Sequence, residues 1–237
     1  MTPDERLLAW FVENGRDFPW RHTRDPYAIL VSEVMLQQTQ AARVVPRFVE
    51  WLERWPTVEA LAAAPPADAI RAWQGLGYNR RALNLHRAAR LVTERGWPED
   101  LTKLPGVGRY TADAIACFAL GERVMPVDTN VARVQERTGL AFGPECAQAL
   151  FDLGRELCLA RVPRCGACPL AAGCPSRGRR YKPLRKQGSF EGSFRQRRAR
   201  ALREVLEGRG PEDREAVEAL ARDGLVTVRD GVATPPG

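Results

Sequence analysis

Four cysteines in the C-terminal third of the chain constrain its fold more than any other feature. They are Cys158, Cys165, Cys168 and Cys174, with spacers of six, two and five residues. Four thiolates so close together can enclose one metal centre, and soft thiolates select iron–sulfur clusters, zinc or copper(I). Structural zinc usually takes two short Cys-x-x-Cys pairs set well apart. One pair flanked by single cysteines therefore favours a [4Fe–4S] cluster, with zinc or free thiols as the alternatives.

The charge distribution indicates a polyanionic partner. The formal net charge is +7 and the pI is about 9.4. Between Arg177 and Arg209 there are 12 basic and 3 acidic residues, a local excess of +9. We expect this basic stretch to contact nucleic acid, and a solvated linker of biased composition is the alternative.

The pattern of apolar residues predicts an all-α body. Helical spacing recurs in segments separated by Pro and Gly, and no sustained strand alternation occurs before residue 224. The sequence contains no run of about 18 apolar residues, and its charged start lacks a signal-peptide apolar region, so we expect a cytoplasmic, nucleoid-associated protein. The predicted helices cover residues 4–14, 27–42, 44–54, 57–63, 67–74, 79–95, 129–138 and 145–158.

The pattern changes after Cys174. Residues 175–192 are rich in Pro, Gly and Arg, which is typical of a linker. Residues 193–207 and 212–223 have helical spacing, and GLVTVRDGVATP alternates across an Asp-Gly turn that predicts a hairpin. Two helices and a hairpin match a small, winged-helix-like appendage.

A glycine-rich turn and a carboxylate follow one another in the middle of the chain. In segment 104–108 (LPGVG) the glycines permit a tight turn, and the helix that starts near Tyr110 offers unpaired N–H groups to a DNA phosphate. An ordinary helix–helix turn is the alternative. Asp128 follows an apolar segment and Pro126, where it could serve as a helix N-cap or as a reactive carboxylate.

Polar side chains interrupt an apolar stretch near the N-terminus. Glu33 is followed by Gln37 and Gln38, and a buried carboxyl there is costly unless it has partners or a proton. A glutamate on the solvent face of an amphipathic helix is the alternative. Further on, segment 75–78 (GLGY) places an aromatic ring beside glycines, which suits a wedge between bases in the minor groove; a core tyrosine after a turn is the alternative.

These motifs together resemble a known family. The LPGVG turn, Asp128 and the cysteine loop are similar to the helix-hairpin-helix DNA glycosylases of the endonuclease III superfamily, and SEVMLQQTQ and GLGY resemble the adenine glycosylases of the MutY family. The resemblance implies a two-lobed, all-α enzyme of base excision repair. Such an enzyme acts as a monomer on double-stranded DNA containing adenine mispaired with 8-oxoguanine or guanine, and the four cysteines hold a [4Fe–4S] cluster.

The resemblance also implies roles for individual residues. Glu33 would protonate the departing adenine, and Asp128 would stabilise the cationic sugar. Gln38 and Tyr78 would be pushed into the base stack. The implied sites comprise Glu33, Asp128, Tyr110 and Asn130 at the catalytic centre; Gln37, Gln38, Tyr78, Leu104, Gly106, Gly108, Arg161 and Arg164 against DNA; and Arg21 and Leu36 at the base pocket.

The residue after the hairpin argues for a monofunctional enzyme. Bifunctional endonuclease III enzymes carry a lysine there that forms a Schiff base with the sugar. This chain has Tyr110 at that position, so we expect little or no AP-lyase activity. The resemblance further predicts three domains. Residues 22–130 form a helical barrel with the helix-hairpin-helix, residues 1–21 with 131–175 form the cluster domain, and residues 176–237 form a linker with a small appendage.

Two other functions stay open. One is a mismatch glycosylase that removes thymine or uracil opposite guanine; that sister family shares a Tyr and an Asp at the positions of Tyr110 and Asp128 but normally lacks the Gln-Gln-Thr run and GLGY. The other is a non-catalytic iron–sulfur DNA-binding protein. The residues after 175 are too few and too helical for the Nudix-like domain with which typical MutY proteins read 8-oxoguanine, so the opposite base stays open as well.

Overall fold

The computed structural model of the chain describes residues 1–182 and 188–237. Helices dominate this part of the chain, which confirms the predicted all-α class. Two residues of the predicted basic stretch, Arg185 and Lys186, lie outside the described residues. The helices are α1 (Pro3–Asn14), α2 (Pro26–Leu36), α3 (Ala41–Arg54), α4 (Val58–Ala63), α5 (Pro66–Ala72), α6 (Arg80–Arg95), α7 (Arg109–Phe118), α8 (Thr129–Thr138), α9 (Ala147–Glu156), α10 (Phe194–Leu206) and α11 (Arg214–Arg222).

Side-chain caps fix where several of these helices begin. Thr2 and Glu5 form a capping box at the start of α1. Ser193 caps α10 and Asp213 caps α11, each by accepting a hydrogen bond from a backbone amide of the first turn. At the other end of α8, Gly139 adopts a φ of 70°, a conformation that glycine reaches without steric cost.

The chain divides into two compact units. One contains Met1–Ile29 and Arg109–Lys186, and the other contains Leu30–Gly108 and Gln187–Gly237. This division groups residues 109–130 with the cysteine loop, whereas the family resemblance assigns them to the barrel domain. The domain limits of 22–130, 1–21 with 131–175, and 176–237 stay a prediction.

The first unit has a core made by α1, α8 and α9. Leu7 on α1 is fully buried, as are Val131 and Val134 on α8 and Leu150 and Leu153 on α9. The three-residue spacing within α8 and within α9 places each pair on one face of its helix. Burial of these apolar side chains stabilises the elements that carry Asp128 and precede Cys158.

The segment Leu30–Gly108 of the second unit contains most of α2 and all of α3 to α6. Trp51 lies at its centre, with ring centroids 4.6 Å from Trp55 and 5.5 Å from Trp73 in edge-on geometry. Helix α2 ends at Leu36 instead of continuing to residue 42 as its periodicity predicts. It ends there because Gln38 adopts a φ of 55°, which no helix can continue through.

Residues after 193 form the predicted helix–helix–hairpin appendage. Strands β1 (Thr227–Arg229) and β2 (Val232–Thr234) pair antiparallel across Asp230 and Gly231, which both have the positive φ that a tight hairpin turn needs. The end of α11 packs on α6: Asp223 lies 3.7 Å from the Arg80 guanidinium, and Gly224 lies against Leu83. In the described residues, no helix is both long and apolar enough to cross a bilayer.

Candidate functional site

Glu33 lies within a helix that is almost wholly buried. It is 6% exposed, and its neighbours Ser32, Val34 and Met35 are also buried. The solvent-facing alternative for this glutamate is therefore wrong. Helix α2 thus holds a carboxyl group away from bulk water, as the chemistry of a proton donor requires.

Asp128 is the N-cap of α8 and is held by three donors. Its Oδ1 accepts hydrogen bonds from the amides of Asn130 at 2.8 Å and Val131 at 2.7 Å, and its Oδ2 accepts one from Asn130 Nδ2 at 2.7 Å. Asp128 can therefore serve both as a helix cap and as a reactive carboxylate. The cap fixes the direction of its side chain, which is still partly exposed.

Arg133 connects this carboxylate to the cysteine loop, and no motif in the sequence marked it. Its Nη2 donates to Asn130 Oδ1 at 2.8 Å, and its Nε donates to the Cys158 carbonyl at 2.8 Å. The same Nη2 donates to the Gly154 carbonyl at 2.7 Å. Burial lowers the pKa of Arg133 from its ordinary value. The i, i+3 spacing between Asn130 and Arg133 was the one sequence signal that could have indicated their contact.

Tyr110 lies in the first turn of α7, directly after the hairpin. Its ring packs edge-on against Phe151 of α9, with centroids 6.3 Å apart, and Phe151 packs in turn against Phe118. This aromatic contact fixes the ring of the tyrosine that follows the LPGVG turn.

The turn at residues 104–108 needs glycine at position 106, where a larger side chain would clash with Asn84. Gly106 has a φ of 80°, and a Cβ on it would lie 2.9 Å from the Asn84 Cβ. The Gly106 carbonyl accepts a hydrogen bond from Gln37 Nε2 at 3.5 Å. The predicted DNA residues Leu104 and Gly108 belong to the same turn, where Leu104 is buried and Gly108 is exposed.

The two residues predicted to enter the base stack are both exposed and both have unusual backbone geometry. Gln38 has a φ of 55°, and Tyr78, which is 47% exposed, has a φ of 48°. Arg81 of α6 lies beneath both loops, and its guanidinium donates to the carbonyls of Gln37 and Gly77. No motif marks this arginine in the sequence, because its contact with Gln37 spans 44 residues of chain.

The two residues predicted at the base pocket lie in different surroundings. Arg21 pairs with the fully buried Asp152 at 2.9 Å, and Arg16 pairs with the same carboxylate at 2.6 Å. Burial alone would raise the pKa of Asp152, but hydrogen bonds from Arg21 and Arg16 outweigh it and hold that pKa below its usual value. Leu36 is the last residue of α2 and is partly exposed.

The four cysteines line one cavity, and four thiolates are a donor set that can hold an iron–sulfur cluster. Gly178 donates its amide to Cys165 Sγ at 3.3 Å, and Arg137 Nη1 lies 3.6 Å from Cys158 Sγ, as expected for hydrogen bonds that stabilise thiolate ligands.

Arg137 also holds the loop around this cavity. It is 7% exposed and donates to the carbonyls of Leu159 and Ala160, each at 2.7 Å. The ring of Tyr181 stacks 3.7 Å from its guanidinium carbon. Tyr181 in turn donates its amide to the Arg161 carbonyl at 3.0 Å, so the chain after the last cysteine returns to the cysteine loop.

Several of the basic residues counted between Arg177 and Arg209 are neutralised by ion pairs. On α10, Arg197 pairs with Asp213 and Glu215, and Arg200 pairs with Glu204. These ion pairs neutralise much of the charge of that helix. Within residues 158–182, which hold the cysteine loop and the chain after it, every cation is exposed: Arg161, Arg164, Arg177, Arg179, Arg180 and Lys182.

Comparison with protein families gives one clear match. Residues 31–153 match the model described as HhH-GPD superfamily base excision DNA repair protein. The adenine DNA glycosylase of Mycobacterium tuberculosis is 40% identical over 285 aligned residues, which cover 99% of this chain and 93% of that protein. The adenine DNA glycosylase of Homo sapiens is 38% identical over 79% of this chain and 42% of its own length.

Solved structures share the same fold. A thermostable thymine-DNA glycosylase has a TM-score of 0.66 and 29% identity, and the alignment covers 73% of this chain and 93% of that one. Endonuclease III in a non-covalent complex with DNA has a TM-score of 0.62 and 24% identity over 73% of this chain and 92% of that one, a likeness of fold alone.

Proposed function

The chain belongs to the HhH-GPD superfamily of base excision DNA repair proteins and, within it, to the MutY-type adenine DNA glycosylases, and from this premise we propose that it is a monofunctional adenine glycosylase. The proposed reaction is hydrolysis of the N-glycosidic bond of adenine mispaired with 8-oxoguanine or guanine in double-stranded DNA. The enzyme works as a monomer that flips the adenine out of the duplex before cleavage.

The observation that carries this proposal is the buried Glu33. Neutral adenine leaves poorly, because it departs with both electrons of the C1′–N bond. A carboxylic acid beside the base can supply a proton as that bond breaks. Glu33 is 6% exposed on a helix whose neighbouring residues Ser32, Val34 and Met35 are also buried, which supports its role as this acid.

Asp128 is proposed to stabilise the sugar that remains. Loss of the base leaves positive charge on C1′ and the ring oxygen, and a nearby carboxylate lowers the energy of that state. Water then adds to C1′ and releases a proton. Three hydrogen bonds fix the direction of the Asp128 carboxylate before substrate binds, so no reorganisation is needed during the reaction.

Tyr110 and the scarcity of lysines support hydrolysis without strand cleavage. A β-lyase needs an amine that attacks C1′. The position after the hairpin carries a phenol, and in the described residues the lysines are Lys103 and Lys182. We therefore expect an abasic site as the product, with little or no AP-lyase activity.

The four cysteines are proposed to hold a [4Fe–4S] cluster. When bound, the cluster would supply a structural cross-link within the cysteine loop, and no step of the hydrolysis passes through it. Arg137 and Gly178 would stabilise the thiolates. Arg161 and Arg164 on this loop, together with residues 177–182, would contact DNA phosphates and contribute salt-sensitive affinity.

A thymine or uracil mismatch glycosylase is the second candidate. The likeness to a thermostable thymine-DNA glycosylase favours it, because that structure and this chain share 29% identity at a TM-score of 0.66. The Gln37-Gln38-Thr39 run and the GLGY loop favour adenine, as does the identity of 40% with an adenine DNA glycosylase across nearly the full chain. A non-catalytic iron–sulfur DNA-binding protein would need no buried acid at Glu33.

The experiment that tests the proposal is substitution of the acid. Glu33→Gln keeps the shape of the side chain but removes its proton-donating ability, and we expect adenine release to fall by about 10³-fold. Duplex affinity should stay within about twofold, since no phosphate contact changes. Glu53→Gln, at an exposed glutamate of α3, is the matched control and should leave both unchanged. Normal turnover by Glu33→Gln would remove Glu33 from the reaction.

A further inference from the structure

Arg81 is a buried side chain that joins the two loops predicted to enter the duplex. It lies in the first turn of α6 and is 8% exposed. Its Nη1 donates to the Gln37 carbonyl at 2.6 Å, and its Nη2 donates to the Gly77 carbonyl at 2.8 Å. The same guanidinium also donates to oxygens of Val34, Met35, Thr39, Leu76 and Tyr78.

Both loops carry a strained residue at their exposed tip. Gln38 and Tyr78 have φ values of 55° and 48°, and among the described non-glycine residues the other with positive φ is Asp230, in the turn between β1 and β2. Such conformations are costly and persist where the surroundings enforce them. The carbonyls next to both strained residues are held by one guanidinium.

A guanidinium can hold carbonyls of two loops at once, whereas an ammonium cannot hold them in a fixed geometry. Arginine has five donors in a rigid planar fork, whereas lysine has a single compact charge. The Arg81 guanidinium carbon also lies 5.2 Å from the Trp73 ring centroid and 5.7 Å from that of Tyr78. Burial lowers the pKa of Arg81 to about 10, so the group is still charged at neutral pH.

We infer that Arg81 is a positioning residue that couples Gln38 to Tyr78, so that the two side chains enter a mispaired duplex as one preformed wedge. The inference rests on the proposed function and adds to it the element that sets the geometry of base flipping. Loops that are ordered before binding do not lose conformational freedom in the flipping step. Arg81 acts through Gln38 and Tyr78 and touches no reacting atom.

The first test measures the loops in the protein without DNA. The amides of Thr39 and Leu76 donate to the Leu36 and Trp73 carbonyls, so their hydrogen exchange reports the order of each loop. Arg81→Lys should speed exchange at both amides by about tenfold, the factor that loss of one hydrogen bond gives. Faster exchange in one loop alone, or in neither, would overturn the coupling.

Arg43→Lys is the matched control. The Arg43 guanidinium donates to the Gly75 carbonyl and so contacts one of the two loops. This variant should speed exchange at Leu76 and leave Thr39 unchanged. A response of both loops to Arg43→Lys would mean that any nearby arginine disturbs them together, and the special role of Arg81 would be lost.

The second test uses DNA, and its first part needs no Arg81 variant. If the wedge is one piece, Gln38→Ala and Tyr78→Ala should lower mispair affinity non-additively in the wild-type background. The two effects should become additive with Arg81→Lys, which should also slow single-turnover release by about a hundredfold. Additive effects in the wild-type background would overturn the inference. Absence of adenine release by the wild type would refute the proposed function, while the exchange experiment would still decide the role of Arg81.

Discussion

Replacing Asp128 by asparagine separates its capping role from its chemical role. The carboxylate accepts hydrogen bonds at both oxygens: Oδ1 from the amides of Asn130 and Val131, and Oδ2 from the Asn130 side chain. An asparagine at this position has one oxygen and one NH2 group. It can accept from the backbone amides of the cap or from the Asn130 side chain, but not from both. Asn130 cannot turn its amide to compensate, because Arg133 donates to its Oδ1. Asp128→Asn should therefore cost about 1 kcal/mol of unfolding free energy, the net value of one hydrogen bond.

The expected loss of activity is far larger. Removing the negative charge beside a developing cation should slow adenine release by about 10³-fold, which corresponds to about 4 kcal/mol of activation free energy. Single-turnover release and urea unfolding at pH 7 measure the two quantities on the same sample. Thr57→Ala is the control for cap loss, since Thr57 caps α4 by accepting from the Ala60 amide; it should cost about 1 kcal/mol and leave release unchanged. Release by Asp128→Asn within tenfold of wild type would reduce this carboxylate to a capping group.

Three further perturbations test other parts of the account. Arg133→Gln should lower both the cluster absorbance near 400 nm and adenine release, because one guanidinium holds Asn130 and the Cys158 carbonyl; normal values of both would contradict this. Asp152→Asn should lower the unfolding free energy by about 3 kcal/mol at pH 7. That difference should shrink below about pH 4 in urea titrations, because the stabilisation from a carboxyl with a lowered pKa is lost as pH falls through that pKa. Arg179→Gln should reduce the salt dependence of DNA binding by about one unit of slope, and the ion-paired Arg197→Gln should not; equal slopes for both variants would refute the charge assignment.

Local signals in the sequence predicted most helices. Apolar periodicity located α1, α6, α8 and α9 within a few residues, and the Asp-Gly pair predicted the β-hairpin turn. The cysteine spacing indicated a shared centre, and the four side chains do line one cavity. In each case the deciding residues are close in sequence, so that their geometry follows from helical or turn rules.

Features that depend on distant contacts could not be predicted. The end of α2 at Leu36 requires the left-handed Gln38, and that conformation is supported by an arginine on α6. The link from Asn130 to Cys158 through Arg133 spans 25 residues of chain between donor and carbonyl. Counting charges overestimated the free positive charge of α10. Its arginines pair with acidic residues at the start of α11 and within α10 itself. Such pairings depend on tertiary packing, which composition does not encode.

Single-turnover base release from matched duplexes distinguishes an adenine glycosylase from a mismatch glycosylase. The panel contains adenine opposite 8-oxoguanine, adenine opposite guanine, thymine opposite guanine and uracil opposite guanine. We predict adenine release, fastest opposite 8-oxoguanine or guanine, and no release of thymine or uracil. Release of thymine or uracil without adenine would contradict it and would assign the chain the activity of the mismatch glycosylases.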